Sequence, residues 1–404
     1  GRLSDLFGAR RIFTTGFVIL TAASLLAGLA TSQEILLAGR ALQGIGAALI
    51  APSALTIVMR LFGHNGPELG KAFGFWGAAA AAGGSAGVFL GGVITEWMAW
   101  QWTFLINVPL GLIVLAAIPA VLRKSERARG KVDWFGAITV TGALVSLVYA
   151  IVTIETAGLG SPLILSLLGI SLALFVIFLI AQRVRREPLL PLGIFKAPNL
   201  AAGNLVMALL GAAWIPLWFF LNLYLQQILG LSALASGLAL LPMTVLIMIV
   251  MVGFSGKLIG RFGPKTNLIL GLLLMGASLI LFANLPLDGS FVINVLPASL
   301  LAALGMALAY IPATMSGMAG AKPEETGLAS GLINTTYQIG SAIGLAVMVV
   351  ISTAGFGHGS AGPAEMLQGF QAAFQGAGVV AAVAALATLL LIRGGAAQRE
   401  VPVG

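Results

Sequence analysis

The chain has 404 residues, of which 59% are hydrophobic and 8% charged, with a net charge of +8 and no cysteine. A soluble globular domain carries roughly 25% charged residues, so this composition excludes a water-soluble protein, and the absence of thiols excludes disulfide and thiolate chemistry. The positive charges are scattered between apolar runs rather than gathered on one face, which speaks against nucleic acid as a partner.

Twelve apolar runs follow one another, each long enough to cross a bilayer core of about 30 Å. They lie near 12–31, 35–60, 71–94, 103–122, 134–155, 162–182, 199–226, 234–254, 267–284, 291–318, 326–352 and 370–392. None alternates strongly, so an all-α polytopic membrane protein is expected and a β-barrel is not. Apart from Arg40, every lysine and arginine falls in alternate connections: Arg2, Arg10 and Arg11, then Arg60 and Lys71, then the Arg123–Lys131 cluster, and so on to Arg393 and Arg399. The positive-inside rule makes those connections, and both chain ends, cytoplasmic in a plasma (inner) membrane. Glu34, Glu96, Glu155, Asp288 and Glu365 fall on the other side.

The two histidines, His64 and His358, sit in short polar connections without acidic or histidine partners at ligand spacing, so no metal site is expected. No nucleotide-binding lysine accompanies the G-x-x-x-x-G spacings, no cofactor is indicated, and no acid, base or nucleophile cluster lies at membrane depth. An enzyme is therefore not expected.

The opening stretch GRLSDLFGARR returns as GKLIGRFGPK. A shift of 255 residues lays Gly1, Leu3, Phe7, Gly8 and Gly16 on Gly256, Leu258, Phe262, Gly263 and Gly271. Three helices on, GSA recurs at 84–86 and 340–342. A duplicated six-helix unit accounts for most of the length, with one helix pair in excess between the halves. Such halves, related by an axis along the membrane normal, suggest an alternating-access transporter.

These stretches identify the chain as resembling the major facilitator superfamily, in particular its fourteen-helix drug:proton antiporter branch (EmrB/QacA type). GRLSDLFGARR resembles the superfamily's loop between helices 2 and 3. LAGRALQGIGAALIAPS resembles its helix 4 motif, with Arg40, Gln43 and Gly44 in place. Gly74, Gly83, Gly87, Gly91 and Gly92 match the glycine ladder of the helix 5 antiporter signature, although Val88 stands where that signature has proline. WQWTFLINVPLG, YLQQILGLSALASGLALLP and TGLASGLINTTYQIGSAIG resemble further family blocks.

The resemblance implies an incomplete N-terminal bundle at 1–131 (family helices 3 to 6), an inserted central pair at 132–186 and a six-helix C-terminal bundle at 187–404. On it the chain begins inside the first copy of the repeated turn, with helices 1 and 2 absent. The central pair reads as packing or lipid-facing material outside both bundles. The implied function is proton-coupled export of amphipathic small molecules, with small-molecule substrate, protons and the lipid bilayer as partners. A facilitator or importer of a small metabolite, and a non-transporting sensor or scaffold, are the alternatives.

The gating motif is Gly1, Asp5, Gly8 and Arg10, with Gly256 and Gly263 in the second copy. The family implies that Asp5 latches the cytoplasmic side shut against the helix beginning near Pro323–Thr326; the other reading is a solvated loop aspartate. The second copy has Gly260 where the acid would be. Arg40 stands alone inside an apolar run, where an arginine usually faces a cavity or a partner. The family implies that it tunes a proton-carrying carboxylate on helix 1, and snorkelling to the outer interface is the alternative. The helix 5 glycines permit close packing whether or not they mark antiport. Asn334, Tyr337 and Gln338, with Gln43, Asn204 and Tyr310, are candidates for a substrate cavity, or for hydrogen bonds between helices. Trp97, Trp100 and Trp102 read as an interfacial belt.

Overall fold

The structure, a computed structural model, describes residues 2–62, 66–122, 132–158, 160–185, 188–322, 325–354 and 362–393. Gly1, His64, the basic cluster 123–131 with Lys124, Arg186, Pro323, His358 and Arg399 lie outside the described residues, as do the side chains of Val88 and Glu155. Among the described residues the protein is helical without strands, and twelve helices are long and apolar enough to cross a membrane.

The first part of the chain forms α1 (Arg2–Phe7), α2 (Ala9–Gly28), α3 (Gln33–Phe62), α4 (Gly66–Trp97), the single turn α5 (Trp102–Leu105) and α6 (Asn107–Val121). The central pair is α7 (Trp134–Ala157) and α8 (Pro162–Val184). Then come α9 (Leu200–Leu223), α10 (Ala233–Gly253), α11 (Ser255–Phe262), α12 (Pro264–Phe282), α13 (Leu296–Met318), α14 (Thr326–Thr353) and α15 (Pro363–Leu391). The last of these starts seven residues before its apolar run. Pro363 opens it, and Glu365 Oε2 accepts a hydrogen bond from the Gly362 N–H at 3.1 Å, so a polar first turn is capped and joins the helix.

The repeated turn is more ordered than a loop. Each copy is a short helix, α1 or α11, stopped by a glycine at positive φ: Gly8 at 91° and Gly263 at 79°. A side chain there would strain the backbone, and from each glycine the next spanning helix begins. The copies have diverged. Asn267 closes the second on itself, its Nδ2 donating to Leu258 O at 2.9 Å and Gly263 O at 2.7 Å. In the first, Ile12 occupies the corresponding position and leaves no amide to do this.

Packing repeats with the sequence. A Cβ on Gly46 would meet Leu20 N at 2.8 Å and Gly16 O at 2.9 Å, and one on Gly305 would meet Met275 N at 2.7 Å and Gly271 O at 2.8 Å. The α2–α3 and α12–α13 crossings are therefore the same backbone-to-backbone contact made twice, the kind small residues allow between membrane helices.

Helices α9, α10 and α12 to α15 pack on one another around α13, whose alanine-rich surface is buried on most sides. In the first part α2 packs on α3 and α6, while α4 lies chiefly along α10 of the second half. α8 packs on α7. α7 also rests on α14.

Candidate functional site

At one end of the spans the two halves meet through buried polar groups. Asp5, fully buried on α1, accepts a hydrogen bond on Oδ1 from the Gly327 N–H at 3.0 Å, in the first turn of α14. The positive end of the helix dipole favours a carboxylate there. Arg60, at the end of α3, brings Nη2 to 3.7 Å from the same oxygen. Gly327 makes the approach possible, because a Cβ on it would overlap the Asp5 carboxylate. One turn deeper, Thr56 and Ser330 share a hydrogen bond at 2.9 Å, and Ser330 Oγ donates to Pro52 O at 3.0 Å. Arg10 lies in the first turn of α2.

Arg40 projects from the N-terminal part of α3. Its Nη1 donates to Gln43 Oε1 at 2.9 Å, and Gln43 Nε2 donates to Ser24 Oγ on α2 at 2.7 Å. The guanidinium lies 5.8 Å from the centre of the Phe104 ring. Gln43 is buried and committed at both ends, and it orients Arg40. Gly44, on the neighbouring face, has nothing within 4 Å of a built Cβ. The i, i+3 spacing of Arg40 and Gln43 allows their pairing, which the sequence reading did not draw; Ser24, on another helix, carried no signal.

At mid-depth an aromatic cluster bridges the halves. Tyr310 of α13 and Tyr337 of α14 stand edge to face with ring centres 5.9 Å apart, and the Trp76 indole of α4 lies beside the Tyr310 hydroxyl. From the helix ends at Gly66, Met318 and Thr326, these residues lie about 12–16 Å into the spans at 1.5 Å per residue. Beside them, a Cβ on Gly77 would meet Met251 Sδ of α10 at 2.6 Å. Such a surface suits an amphipathic guest with an apolar body, a few hydrogen-bonding groups or a cation over a ring face. Trp76 was not singled out in the sequence, because one tryptophan among many apolar residues has no periodic signature.

The remaining polar candidates do not converge there. Asn204 is buried and fully committed, donating to Leu200 O at 2.9 Å and Gly317 O at 2.8 Å while accepting from Thr336 Oγ1 at 3.1 Å. It bonds α9, α13 and α14 together. Asn334 Nδ2 donates to Ser330 O at 2.8 Å, toward the Asp5 seam, and Gln338 is exposed. The glycine ladder divides. Gly74 and Gly92 abut the α10 backbone, with built Cβ contacts of 2.5 Å to Met251 O and 2.8 Å to Ala233 O, whereas Gly83, Gly87 and Gly91 face open space. Gly256 and Gly263 likewise have nothing within 4 Å of a built Cβ. Trp97, Trp100 and Trp102 are exposed at a helix end. Among the described residues no group of three His, Asp or Glu side chains could hold a metal ion.

A polar knot absent from the sequence reading ties the ends of the central pair. Asp133 caps α7, accepting on Oδ1 from Gly136 N–H at 2.9 Å and Arg185 Nη1 at 2.8 Å, and on Oδ2 from Gln182 Nε2 at 3.0 Å and Leu189 N–H at 3.4 Å. Arg185 also lies 4.8 Å over the Phe135 ring. Burial alone would raise the Asp133 pKa. The Gly136 and Gln182 hydrogen bonds, the Arg185 charge and the Leu189 N–H outweigh it and hold the carboxyl below the usual range. A depressed carboxylate contributes stability that is present above its unfolded pKa, about 3.9, and is lost as pH falls through its folded value. Asp133→Asn is therefore expected to lower the melting temperature of the purified protein at pH 7, with a cost of about 1.5–3 kcal/mol for hydrogen bonds to a charged group, the half-exposed Arg185 adding little because solvent screens it. The gap to the parent should narrow below about pH 4. Thermal unfolding at both pH values checks this; an equal gap at both would assign the loss to shape rather than charge.

Three comparisons with known proteins complete the picture. The sequence profile described as Major Facilitator Superfamily matches residues 1–345. Among curated proteins, the cephamycin export protein CmcT of Amycolatopsis lactamdurans is 35% identical over 100% of this chain and 82% of its own. The puromycin resistance protein pur8 of Streptomyces alboniger is 35% identical over 87% of this chain and 70% of its own. The tetracenomycin C resistance and export protein of Streptomyces glaucescens is 35% identical over 87% and 65%. Among solved structures, the human organic anion transporter MFSD10 superposes with a TM-score of 0.67 at 16% identity, covering 96% of this chain and 78% of that one. The proton:xylose symporter XylE superposes with a TM-score of 0.64 at 14% identity, over 97% and 82%. At those identities the structural likeness speaks for the fold alone.

Proposed function

The chain belongs to the major facilitator superfamily, and from that premise we propose that it exports antibiotic-like amphipathic molecules across the plasma membrane by proton antiport, within the fourteen-helix branch. It is a secondary transporter whose relatives are named for antibiotic export and resistance. The observation that carries the mechanism is the seam between the halves: Asp5 against the first turn of α14, with Thr56, Ser330 and Pro52 beneath it. In this reading those contacts close the cytoplasmic side while the outer parts of the halves separate. The drug rests against Trp76, Tyr310 and Tyr337, and breaking the seam reopens the site to the cytoplasm. Arg40 is assigned to proton coupling, held by Gln43 and Ser24. The helix pair between the halves supports the fourteen-helix branch, and the positive-inside pattern supports cytoplasmic chain ends.

Efflux of a hydrophobic cationic dye from cells producing the transporter tests this. Efflux is expected to stop when an ionophore collapses the proton gradient, and to persist when ATP is depleted with the gradient held. Efflux that survives the collapse would contradict proton coupling. Gradient-driven accumulation of the dye instead of efflux would contradict the direction.

A further inference from the structure

A crevice on the lipid-facing side of the second half, remote from the aromatic cluster, is built where two spans end together. It lies between the start of α9 and the end of α15, has a volume of about 400 Å³, and is lined by Phe195, Lys196, Asn199, Leu205, Leu391 and Arg393 among others. The spans of these helices begin at Leu200 and stop at Leu391, so the upper part of the crevice is level with the lipid headgroups and its lower wall with the acyl chains. The upper part holds two cations, Lys196 and Arg393, and no acid. Neither cation forms an ion pair among the described residues. Below them Leu205 and Leu391 are half exposed, offering an apolar wall.

The crevice is held in shape. Asn199 adopts a left-handed conformation, φ 65°, which is uncommon for a residue with a side chain. From there its side-chain amide pairs with the Arg393 backbone in both directions: Arg393 N–H donates to Asn199 Oδ1 at 2.8 Å, and Asn199 Nδ2 donates to Arg393 O at 3.1 Å. This clamp fixes Arg393 beside the α9 terminus. Lys265, at the start of α12, adds a tie by donating to Leu389 O at 2.8 Å.

We infer that this crevice binds one anionic phospholipid of the cytoplasmic leaflet, its phosphate between Lys196 and Arg393 and an acyl chain along Leu205 and Leu391. Two cations above an apolar wall at a membrane boundary complement a lipid that is anionic at one end and apolar at the other. A zwitterionic lipid cancels its own phosphate charge, and a free anion gains nothing from the wall. The leaflet follows from the orientation proposed above. The site itself does not depend on it, since binding to protein in detergent is blind to sidedness.

Native mass spectrometry of the detergent-purified protein, with phosphatidylglycerol and phosphatidylcholine of identical chains, tests the inference. The parent is expected to retain phosphatidylglycerol well below the concentration at which phosphatidylcholine binds. Removing both charges in Lys196→Gln/Arg393→Gln should weaken phosphatidylglycerol by roughly fivefold per cation. Lys257→Gln/Arg261→Gln, which removes the same charge elsewhere on that face, should leave it unchanged, and Arg393→Lys should keep most of it. Retention undiminished in the first pair, an equal loss in the second, or displacement of the lipid by equimolar inorganic phosphate would overturn the proposal.

Discussion

Asp5→Ala is expected to reduce dye efflux at least tenfold at unchanged protein level, with Asp5→Asn intermediate and Gly327→Ala close to Asp5→Ala. The carboxylate is fully buried, accepts the Gly327 N–H at 3.0 Å, and has the Arg60 guanidinium at 3.7 Å. A hydrogen bond to a charged group contributes about 1.5–3 kcal/mol, and a carboxylate at a helix N-terminus adds about 0.3–2 kcal/mol. Arg60 is about one-third exposed, so solvent screens its share. A loss of about 2 kcal/mol shifts the balance between a closed and an open cytoplasmic side by roughly thirtyfold. Asparagine keeps the acceptor oxygen without the charge. Alanine at Gly327 leaves Asp5 intact and pushes its carboxylate away, which separates loss of the contact from loss of the residue. Efflux at the parental rate in all three variants would return Asp5 to the role of a topology-setting loop charge.

Arg40→Ala should abolish proton-driven efflux near neutral pH, and Arg40→Lys should keep a part. A cation inside an apolar helix is tolerated when a partner or cavity offsets its desolvation. Here Gln43, Ser24 and the Phe104 ring hold it in one orientation. If Arg40 favours the ionised form of the helix 1 carboxylate that the family resemblance implies, removing its charge raises that acid's pKa. The proton is then held too tightly for release, so efflux should recover partly as the pH on the releasing side rises. Lysine restores charge without the planar fork that meets Gln43. Arg40→Ala also leaves the buried Gln43 oxygen without its donor, a cost of about 1–3 kcal/mol, and Gln43→Leu measures that structural share separately. An unaltered rate and pH profile in both Arg40 variants would leave the side chain as an interfacial anchor.

The long helices were legible because length and apolarity suffice to mark a membrane span, and the alternation of charge placed their ends within a few residues. The short helices α1 and α11 were not. Six to eight residues carry too little periodicity, so Gly8 and Gly263 read as parts of a turn when they in fact stop a helix, and Gly256 lies inside α11. The Asp5 contact was reachable through the family resemblance, down to the start of α14, but Gly327 as the partner needed coordinates. Asn204, Gln43 and Tyr337 looked alike in sequence, each a polar group in an apolar run. Neighbours on other helices assign the first two to helix bonding and the third to the aromatic cluster. The Asp133 knot was hidden for the same reason: its partners Gln182, Arg185 and Leu189 lie beyond a whole helical hairpin.

Alternating access is most directly tested by paired distances. The chain has no cysteine, so spin labels can be placed cleanly at exposed sites, Leu61 with Phe262 across the cytoplasmic side and Trp97 with Leu287 across the outer side. On changing pH or adding drug, a rise in the Leu61–Phe262 distance should be matched by a fall in the Trp97–Leu287 distance, and Asp5→Ala should shift both toward the cytoplasm-open set. Distances that stay fixed under all conditions, or that widen together, would contradict a two-bundle antiporter.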